Sequence, residues 1–230
     1  MGDHRTVEVG GVRLAYRVSG PEGAPPLVLL HGLGEGAADW DGVAPAFVRD
    51  WRVYAPDLRG HGLSDWPGAY SFELMRDDVL GFLDVLGLER ADVIGHSMGG
   101  IVAYLLAAAQ PQRVGRMVLE DAPAPVPREP TPRARPEGEL GFDWAVVEAI
   151  RGQIDRPDAA WLADLGRIEA RTLVLGGGPL SHVSQHNVAE LARRVPDGSF
   201  ETIPVGHLIH AAAPEAFAEA ALRFLRAQRG

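Results

Sequence analysis

Hydrophobic and polar positions alternate at the start of the chain, in two stretches separated by a pair of glycines. Val7 and Val9 alternate with polar neighbours, and residues 12–18 alternate again after Gly10-Gly11. Side chains of a β-strand point to opposite faces in turn, and a Gly-Gly pair suits the tight turn of a hairpin. The pattern therefore predicts two short paired strands at the beginning of the fold.

Continuous apolar runs replace this alternation further along the chain, as is typical of strands buried on both faces of a parallel sheet. They lie at residues 27–30, 53–55, 93–94, 117–119 and 172–175. Between them, apolar residues recur at helical spacing at residues 72–86 (after the N-cap candidate Ser71), 99–111, 188–195 and 214–224. Strands that alternate with helices predict an α/β fold, a mostly parallel central sheet flanked by helices.

One segment departs from this rhythm. Six prolines stand between residues 122 and 136, and they exclude a helix or a paired strand there. Two amphipathic stretches follow, one around Trp144 and one around Trp161. We therefore expect residues 122–168 to form a small proline-rich and helical lid on a core made of residues 1–121 and 169–230.

Composition and charge narrow the classes of partner. The 230 residues include 31 acidic and 22 basic ones, the latter all arginine, giving a net charge of −9, and there is no cysteine. An acidic chain repels nucleic acid and anionic membranes, so neither is an expected partner. The lack of Lys and Cys excludes Schiff-base and thiolate chemistry. With no signal peptide visible and no apolar run of about 20 residues, we expect a cytoplasmic protein that acts on a small molecule.

The sharpest motif is Gly-His-Ser-Met-Gly-Gly at residues 95–100, a match to G-x-S-x-G. A predicted strand ends just before it and a predicted helix begins just after it, which is the context that this motif requires. In a tight strand-to-helix turn, glycines avoid clashes while the serine hydroxyl projects outward. Free N–H groups at the helix N-terminus then point toward any negative charge that develops there. Ser97 is therefore the candidate nucleophile.

Around this motif the sequence resembles the α/β-hydrolase family along nearly its whole length. His-Gly-Leu-Gly at residues 31–34 is similar to the family's oxyanion loop, and Asp-Leu-Arg-Gly-His-Gly-Leu-Ser at residues 57–64 is similar to the segment after its next strand. Gly-His-Leu-Ile-His at residues 206–210, followed by Pro214, resembles the family's histidine loop and last helix. The resemblance implies an α/β-hydrolase fold with a small helical lid insertion, and a reaction without a cofactor.

The resemblance also implies roles for individual residues. Ser97 is the nucleophile, and His207 is the base that takes its proton. The backbone N–H groups of Leu33 and Met98 form the oxyanion hole.

The acid of this triad is not where most of the family has it. Residues 176–182, after the strand that ends at Leu175, contain no carboxylate. Some members carry the acid after the preceding strand, where this chain has Glu120-Asp121. Asp121 is the better candidate because it stands at the carboxyl end of the strand, whereas Glu120 belongs to the strand itself. A serine–histidine dyad without an acid remains open.

Further histidines and tryptophans carry less information. Two histidine pairs have spacings seen in metal sites, His182 with His186 and His207 with His210. Because no H-E-x-x-H pattern or supporting carboxylate accompanies them, no metal is expected. Trp144 and Trp161 are expected as walls of a substrate pocket, since clefts are often lined with aromatic side chains.

These residues predict a serine hydrolase that cleaves a small carboxylic ester, lactone or thioester through an acyl-enzyme on Ser97. A serine at this position argues against the haloalkane dehalogenase and epoxide hydrolase branches, for which the resemblance implies an aspartate. The alternatives within the fold are an aminopeptidase of the proline iminopeptidase type, a C–C bond hydrolase and a cofactor-free perhydrolase. A binding protein or a non-hydrolytic cyclase that reuses the site is the alternative from another class.

Overall fold

The computed structural model describes residues 3–130 and 133–227. In this part of the chain the strands are β1 Asp3–Val9, β2 Val12–Ser19, β3 Pro26–Leu30, β4 Arg52–Pro56, β5 Ala91–His96, β6 Val114–Glu120, β7 Arg171–Gly176 and β8 Gly198–Thr202. They form one sheet in the order β1-β2-β4-β3-β5-β6-β7-β8. The pairs β1–β2 and β2–β4 are antiparallel and all other neighbours are parallel. The first pair is the predicted hairpin, and the sheet is mostly parallel as expected.

Helices cover both faces of this sheet. They are α1 Ala44–Phe47, α2 Phe72–Val85, α3 Met98–Ala109, α4 Ala145–Asp155, α5 Ala159–Asp164, α6 Gln185–Arg194, α7 Ile209–Ala212 and α8 Pro214–Arg226. The side chain of Ser71 accepts a hydrogen bond from the N–H of Leu74 and caps α2, as expected. Among the described residues, no helix is long and apolar enough to cross a membrane.

The alternation of side chains along β3 explains how one apolar strand serves two cores. Val28 and Leu30 pack on the face covered by α2, α3 and α6, whereas Leu27 and Leu29 pack on the face covered by α1 and α8. All four side chains are fully buried. At about 25 cal/mol per Å² of apolar surface, this two-sided burial is a main source of stability.

Residues 122–168 connect β6 to β7. Up to residue 144, the described part of this connection contains neither helix nor strand, apart from a single bridge between Phe142 and His61. Helices α4 and α5 follow, and Val146, Ile150 and Trp161 join the core that α2 and α3 form. Gln153 ties α4 to the start of α2, through hydrogen bonds to Glu73 and to the N–H of Phe72. That residues 122–168 act as a lid stays a prediction.

The edge strand β8 and several short helical segments were not predicted from the sequence. The edge strand β8 is exposed along its whole length, so it carries no apolar pattern. The short turns before β4, a 3-10 helix at Ala37–Gly42 and α1, are too brief for a helical periodicity to show.

Candidate active site

Ser97 lies on the sharp turn between β5 and α3, at the carboxyl edge of the sheet. Its backbone has φ +50° and ψ −110°, a conformation that residues other than glycine rarely adopt. A Cβ atom on Gly99 would collide with the carbonyl oxygen of Leu30, and one on Gly95 would collide with the backbone of Gly99. Backbone segments this close explain why the motif has glycines on both sides of the serine.

Asp121 and His207 are in direct contact. His207 Nδ1 lies 2.7 Å from Asp121 Oδ2, and the aspartate is fully buried just after β6. Asp121 also accepts hydrogen bonds from the Ser181 hydroxyl, the Gln185 amide at 2.8 Å and the Gly177 N–H at 2.9 Å. Burial alone would raise the pKa of Asp121, but these donors outweigh it and hold the pKa below its ordinary value. The carboxylate is therefore ionised and fixed in place.

Glu120, the other carboxylate considered from the sequence, points away from His207. Its side chain is fully buried against His210, with Nδ1 of His210 2.8 Å from Oε2 and the backbone N–H of His210 2.9 Å from Oε1. Two adjacent acids thus contact two different histidines of the loop at residues 206–210. Of the two, Asp121 is the one placed to orient His207.

His210 carries a positive charge inside the protein. Its Nδ1 faces the carboxylate of Glu120, and its Nε2 lies 2.8 Å from Oδ2 of Asp39. Both neighbours only accept hydrogen bonds when ionised, so both ring nitrogens must be protonated. Burial alone would lower the pKa of His210, but the bonds and charges of Asp39 and Glu120 raise it to about 10. The imidazolium neutralises the carboxylate of Glu120, which would otherwise be buried unpaired, and also pairs with the partly exposed Asp39.

His96, the residue before the candidate nucleophile, has a similar environment. Its Nδ1 lies 2.9 Å from Oε2 of Glu35, which also accepts from the N–H of Gly32, and its Nε2 lies 3.1 Å from the carbonyl oxygen of His207. Burial alone would lower the pKa of His96, but the charge of Glu120 and the contact with Glu35 raise it above its ordinary value. A ring with two acceptors around it is again an imidazolium.

The two candidate oxyanion donors lie beside Ser97. Met98 is the first residue of α3, so its N–H precedes the hydrogen-bond ladder of the helix. The N–H groups of its neighbours Ser97 and Gly99 are already bonded to backbone carbonyls. Leu33 lies in the turn at residues 32–35 and borders the same cavity as Met98. Both positions are therefore suited to face a developing negative charge.

A cavity of about 560 Å³ opens at this edge of the sheet. Its lining combines the site residues with apolar side chains from α3 and from residues 122–168. Among the described residues it includes Leu33, Glu35, His96, Ser97, Met98, Ile101, Tyr104, Pro125, Ile150, Ile154, Trp161, His182, Ser184 and His207. A small molecule fits a cavity of this volume and character.

The two tryptophans expected in the pocket have different positions. Trp161 lines the cavity and packs edge-on against Phe72. Trp144 lies outside the cavity lining, with its ring tilted against that of Phe142 6.3 Å away. Amphipathic spacing placed both residues on helical segments, but spacing alone does not reveal which side of the segment faces a cavity.

Several residues around the site were not predicted from the sequence. Glu35, His96, Ser181 and Gln185 touch or support the candidate triad, and none belongs to a position that the motif specifies. The only signal was that His96 fills a variable position of the motif. The sequence presents His182 only through its spacing to His186, whereas in the structure its ring centroid lies 4.3 Å from that of His207.

One group of side chains has the composition of a metal site. Ligand atoms of Asp39, His96 and His210 lie within 4.8 Å of one another. The ring nitrogens of both histidines and Oδ2 of Asp39 are already engaged in hydrogen bonds. A metal ion would have to displace both protons, so the donors present do not favour one.

This chain is similar to known proteins in both sequence and fold. A family profile described as alpha/beta hydrolase fold matches residues 25–165. A 2-hydroxymuconate semialdehyde hydrolase from Pseudomonas sp. (strain CF600) is 38% identical over 120 residues, 50% of this chain and 42% of that protein. Epoxide hydrolase 4 from Mus musculus is 34% identical over 130 residues, 54% of this chain and 36% of that protein. The matched segment thus spans less than half of these relatives' length.

A solved structure extends the similarity to the whole chain. The crystal structure of a hydrolase from Pseudomonas aeruginosa PA01 is 30% identical in sequence, with a TM-score of 0.79, and the match covers 98% of this chain and 99% of that one. The profile covers more than half of the chain and includes the strand-to-helix turn at Ser97. The eight-stranded sheet, the turn and the full-length structural match all agree: the chain belongs to the α/β-hydrolase fold family.

Proposed function

We propose that the protein is a serine hydrolase that cleaves a small carboxylic ester, lactone or thioester. The observation that carries this proposal is the contact of His207 Nδ1 with Asp121 Oδ2 at 2.7 Å, beside a cavity that Ser97 and His207 both line. The ionised Asp121 accepts a hydrogen bond from Nδ1–H of His207, and this tautomer leaves the lone pair of Nε2 to accept a proton from the nucleophile. Ser97, Asp121 and His207 thus supply the three roles of a catalytic triad.

The reaction begins when the Ser97 hydroxyl attacks the carbonyl carbon while its proton passes to Nε2 of His207. Negative charge develops on the carbonyl oxygen, where the N–H groups of Leu33 and Met98 stabilise it. The C–O or C–S bond to the leaving group then breaks, and His207 donates the proton to the departing alcohol or thiol. An acyl group remains on Ser97.

Water completes the cycle. It attacks the acyl carbon and gives a proton to His207, and a second oxyanion forms at the same N–H groups. Its collapse breaks the bond to Ser97, whose oxygen takes the proton back from His207 as the carboxylic acid leaves. Every proton that leaves one group in this scheme is taken up by another, so no cofactor is needed.

The serine nucleophile also weighs against one activity among the relatives. The match to epoxide hydrolase 4 covers 54% of this chain. The family resemblance implies an aspartate nucleophile for that chemistry, and this chain has Ser97 at the turn. A second candidate is hydrolysis of 2-hydroxymuconate semialdehyde, the substrate in the name of the relative that is 38% identical.

A fluorophosphonate probe tests the nucleophile. We expect one covalent adduct, mapped by peptide mass spectrometry to Ser97 and absent from the Ser97→Ala variant. Ser184 also lines the cavity, so Ser184→Ala is the matched control and should label like the wild type. An unlabelled wild type, or an adduct that persists in Ser97→Ala, contradicts the acyl-enzyme mechanism.

Hydrolysis of p-nitrophenyl esters tests the acid and the reaction class. Asp121→Asn should lower kcat by about 10³–10⁴, as happens when a triad acid no longer fixes the histidine tautomer. Glu120→Gln should retain far more turnover, because Glu120 contacts His210 instead of His207. The reverse order of these two effects contradicts our assignment. Turnover of 2-hydroxymuconate semialdehyde without any ester turnover would favour the second candidate.

A further inference from the structure

Three arginines line the cavity, although the chain as a whole is acidic. They are Arg128, Arg133 and Arg151, and the only carboxylate among the described lining residues is Glu35. Glu35 is committed to His96 at 2.9 Å. The chain has 31 acidic against 22 basic residues, so this ratio is the reverse of what its composition favours.

The buried carboxylate of Asp155 balances part of this positive charge. Arg128 Nε lies 2.7 Å from Oδ1 of Asp155, and the Arg128 N–H donates to the Asp155 carbonyl at 3.0 Å. Arg151 stands one helical turn before Asp155 on α4. Burial and the charges of Arg133 and Arg128 lower the pKa of Arg151, and Asp155 offsets this only in part. The charge of Asp155 thus offsets only part of the repulsion that Arg133 and Arg128 exert on Arg151.

The field of this arginine cluster extends to the catalytic end of the cavity. Burial, followed by the charges of His207, Arg133 and Arg128, lowers the pKa of His182. The His182 ring centroid lies 4.3 Å from that of His207. The arginine cluster and the candidate base therefore border one continuous cavity, with apolar residues such as Ile150 and Ile154 also in its wall.

We propose that the arginine cluster Arg128, Arg133 and Arg151 binds an oxyanionic substituent of the substrate, a carboxylate or a phosphate, while the scissile carbonyl lies at Ser97. This inference rests on the proposed function and names the substrate class: esters or lactones that carry a second, negatively charged group. Guanidinium forks match the oxygens of carboxylates and phosphates with paired hydrogen bonds. An anion also relieves the mutual repulsion of the arginines, which a neutral substrate leaves in place.

Binding in the absence of turnover is the first test. Glutarate and inorganic phosphate are titrated separately into the Ser97→Ala protein and followed by calorimetry, with neutral glutaramide as the uncharged probe. We expect saturable binding of one or both anions and none of glutaramide, and the stronger anion identifies the group that is recognised. Adding Arg133→Met and Arg151→Met to the Ser97→Ala protein should abolish binding. Arg128 is kept so that the buried Asp155 retains its partner.

Arg135 provides the matched control. It lies on the same segment as Arg133 and is exposed, but it does not line the cavity. Arg135→Met removes the same charge from the protein and should leave anion binding unchanged. No saturable anion binding, equal binding of glutaramide, or an equal loss in Arg135→Met overturns the proposal.

Kinetics on a matched ester pair is the second test. Wild-type kcat/KM should be higher for the p-nitrophenyl monoester of glutaric acid than for p-nitrophenyl butyrate. The double variant Arg133→Met/Arg151→Met should lose about tenfold on the anionic ester and little on the neutral one, since partly exposed ion pairs are modest in strength. Added salt should reduce the preference for the anionic ester, because salt screens the attraction between the arginines and the anion. At 0.1 M the screening length is about 10 Å.

The two tests separate this inference from the function on which it rests. If the neutral ester is hydrolysed and Ser97 is labelled, but no anion preference exists, only the arginine proposal fails. If no ester is hydrolysed and Ser97 stays unlabelled, the hydrolase proposal fails, and calorimetry still decides whether the cluster binds an anion.

Discussion

His96 and His207 are joined by a contact between a side chain and a backbone: Nε2 of His96 lies 3.1 Å from the carbonyl oxygen of His207. The residue that precedes the proposed nucleophile therefore holds the segment that carries the proposed base. Glu35 fixes the other ring nitrogen of His96 at 2.9 Å. One buried imidazolium thus links the loop at residues 32–35, the turn at Ser97 and the histidine loop.

His96 is therefore a positioning residue, and its removal should change turnover more than substrate affinity. In His96→Gln we expect kcat to fall about 10- to 100-fold at nearly unchanged KM, because small displacements of reacting groups have effects of this size. Glu35→Gln should cause a smaller loss of the same kind, since the ring keeps a hydrogen-bond acceptor but loses the charge that favours its protonation. Steady-state kinetics on a p-nitrophenyl ester measures both.

The control for this prediction is His186→Gln, a histidine exposed on α6. It should match the wild type in kcat and KM. A rise in KM with unchanged kcat in His96→Gln, at a wild-type unfolding midpoint, would mean that His96 contacts substrate instead of holding the His207 loop.

The charge of His210 should make stability depend on pH above neutrality. The pKa of His210 is raised to about 10 in the folded protein, against about 6.5 in the unfolded chain. Between these values the native state keeps a proton that the unfolded chain has released. The resulting stabilisation is fully present below pH 6.5 and is lost as the pH rises through 10, at no more than about 1.4 kcal/mol per pH unit.

Urea unfolding at several pH values from 6 to 10 checks this. The wild-type free energy of unfolding should fall across the range, and Asp39→Asn should move the fall to lower pH because one of the two carboxylates that raise the pKa of His210 is gone. His186→Gln, the exposed control, should follow the wild type. A wild-type curve that stays flat over this range would be incompatible with a charged His210.

The backbone strain at Ser97 should be measurable as a stability difference. A residue with φ +50° and a side chain costs about 1–3 kcal/mol, whereas glycine adopts such a conformation freely. Ser97→Gly should therefore be more stable to urea than Ser97→Ala by about 1 kcal/mol, after allowance for the greater freedom of glycine in the unfolded chain. Both variants lack the hydroxyl, so the comparison isolates the backbone. Equal stability of the two would show that the turn is not strained.

The crowding at Gly99 predicts a loss of folding stability when a methyl group is added. Gly99→Ala places a Cβ against the carbonyl of Leu30, which belongs to a central strand and has little room to move. We expect destabilisation by about 2 kcal/mol or more and loss of fluorophosphonate labelling at Ser97. The control is Gly152→Ala on α4, where nothing lies within 4 Å of the new Cβ. There alanine should raise stability by about 0.5–1 kcal/mol, measured by the same urea titration.

The amino-acid sequence by itself determined the α/β architecture, because buried parallel strands and amphipathic helices have periodicities that are local properties of the chain. It also singled out Ser97, since the glycines around it reflect the close backbone approach at this turn, and it placed β5, α2, α3 and α8 close to their observed bounds. The strand β8 was not predicted because its residues are all exposed and therefore show no apolar pattern.

Only the tertiary structure decided which side chains meet. Glu120 and Asp121 are adjacent in sequence, and the contacts with two different histidines, about 90 residues further along the chain, separate their roles. The positive charges of His96 and His210 likewise depend on acids from distant segments, and the arginine cluster depends on how residues 122–168 fold over the cavity. The charge and pKa of a side chain, and the lining of a cavity, depend on residues that are close in space but distant in sequence. Such contacts produce no periodic pattern along the chain.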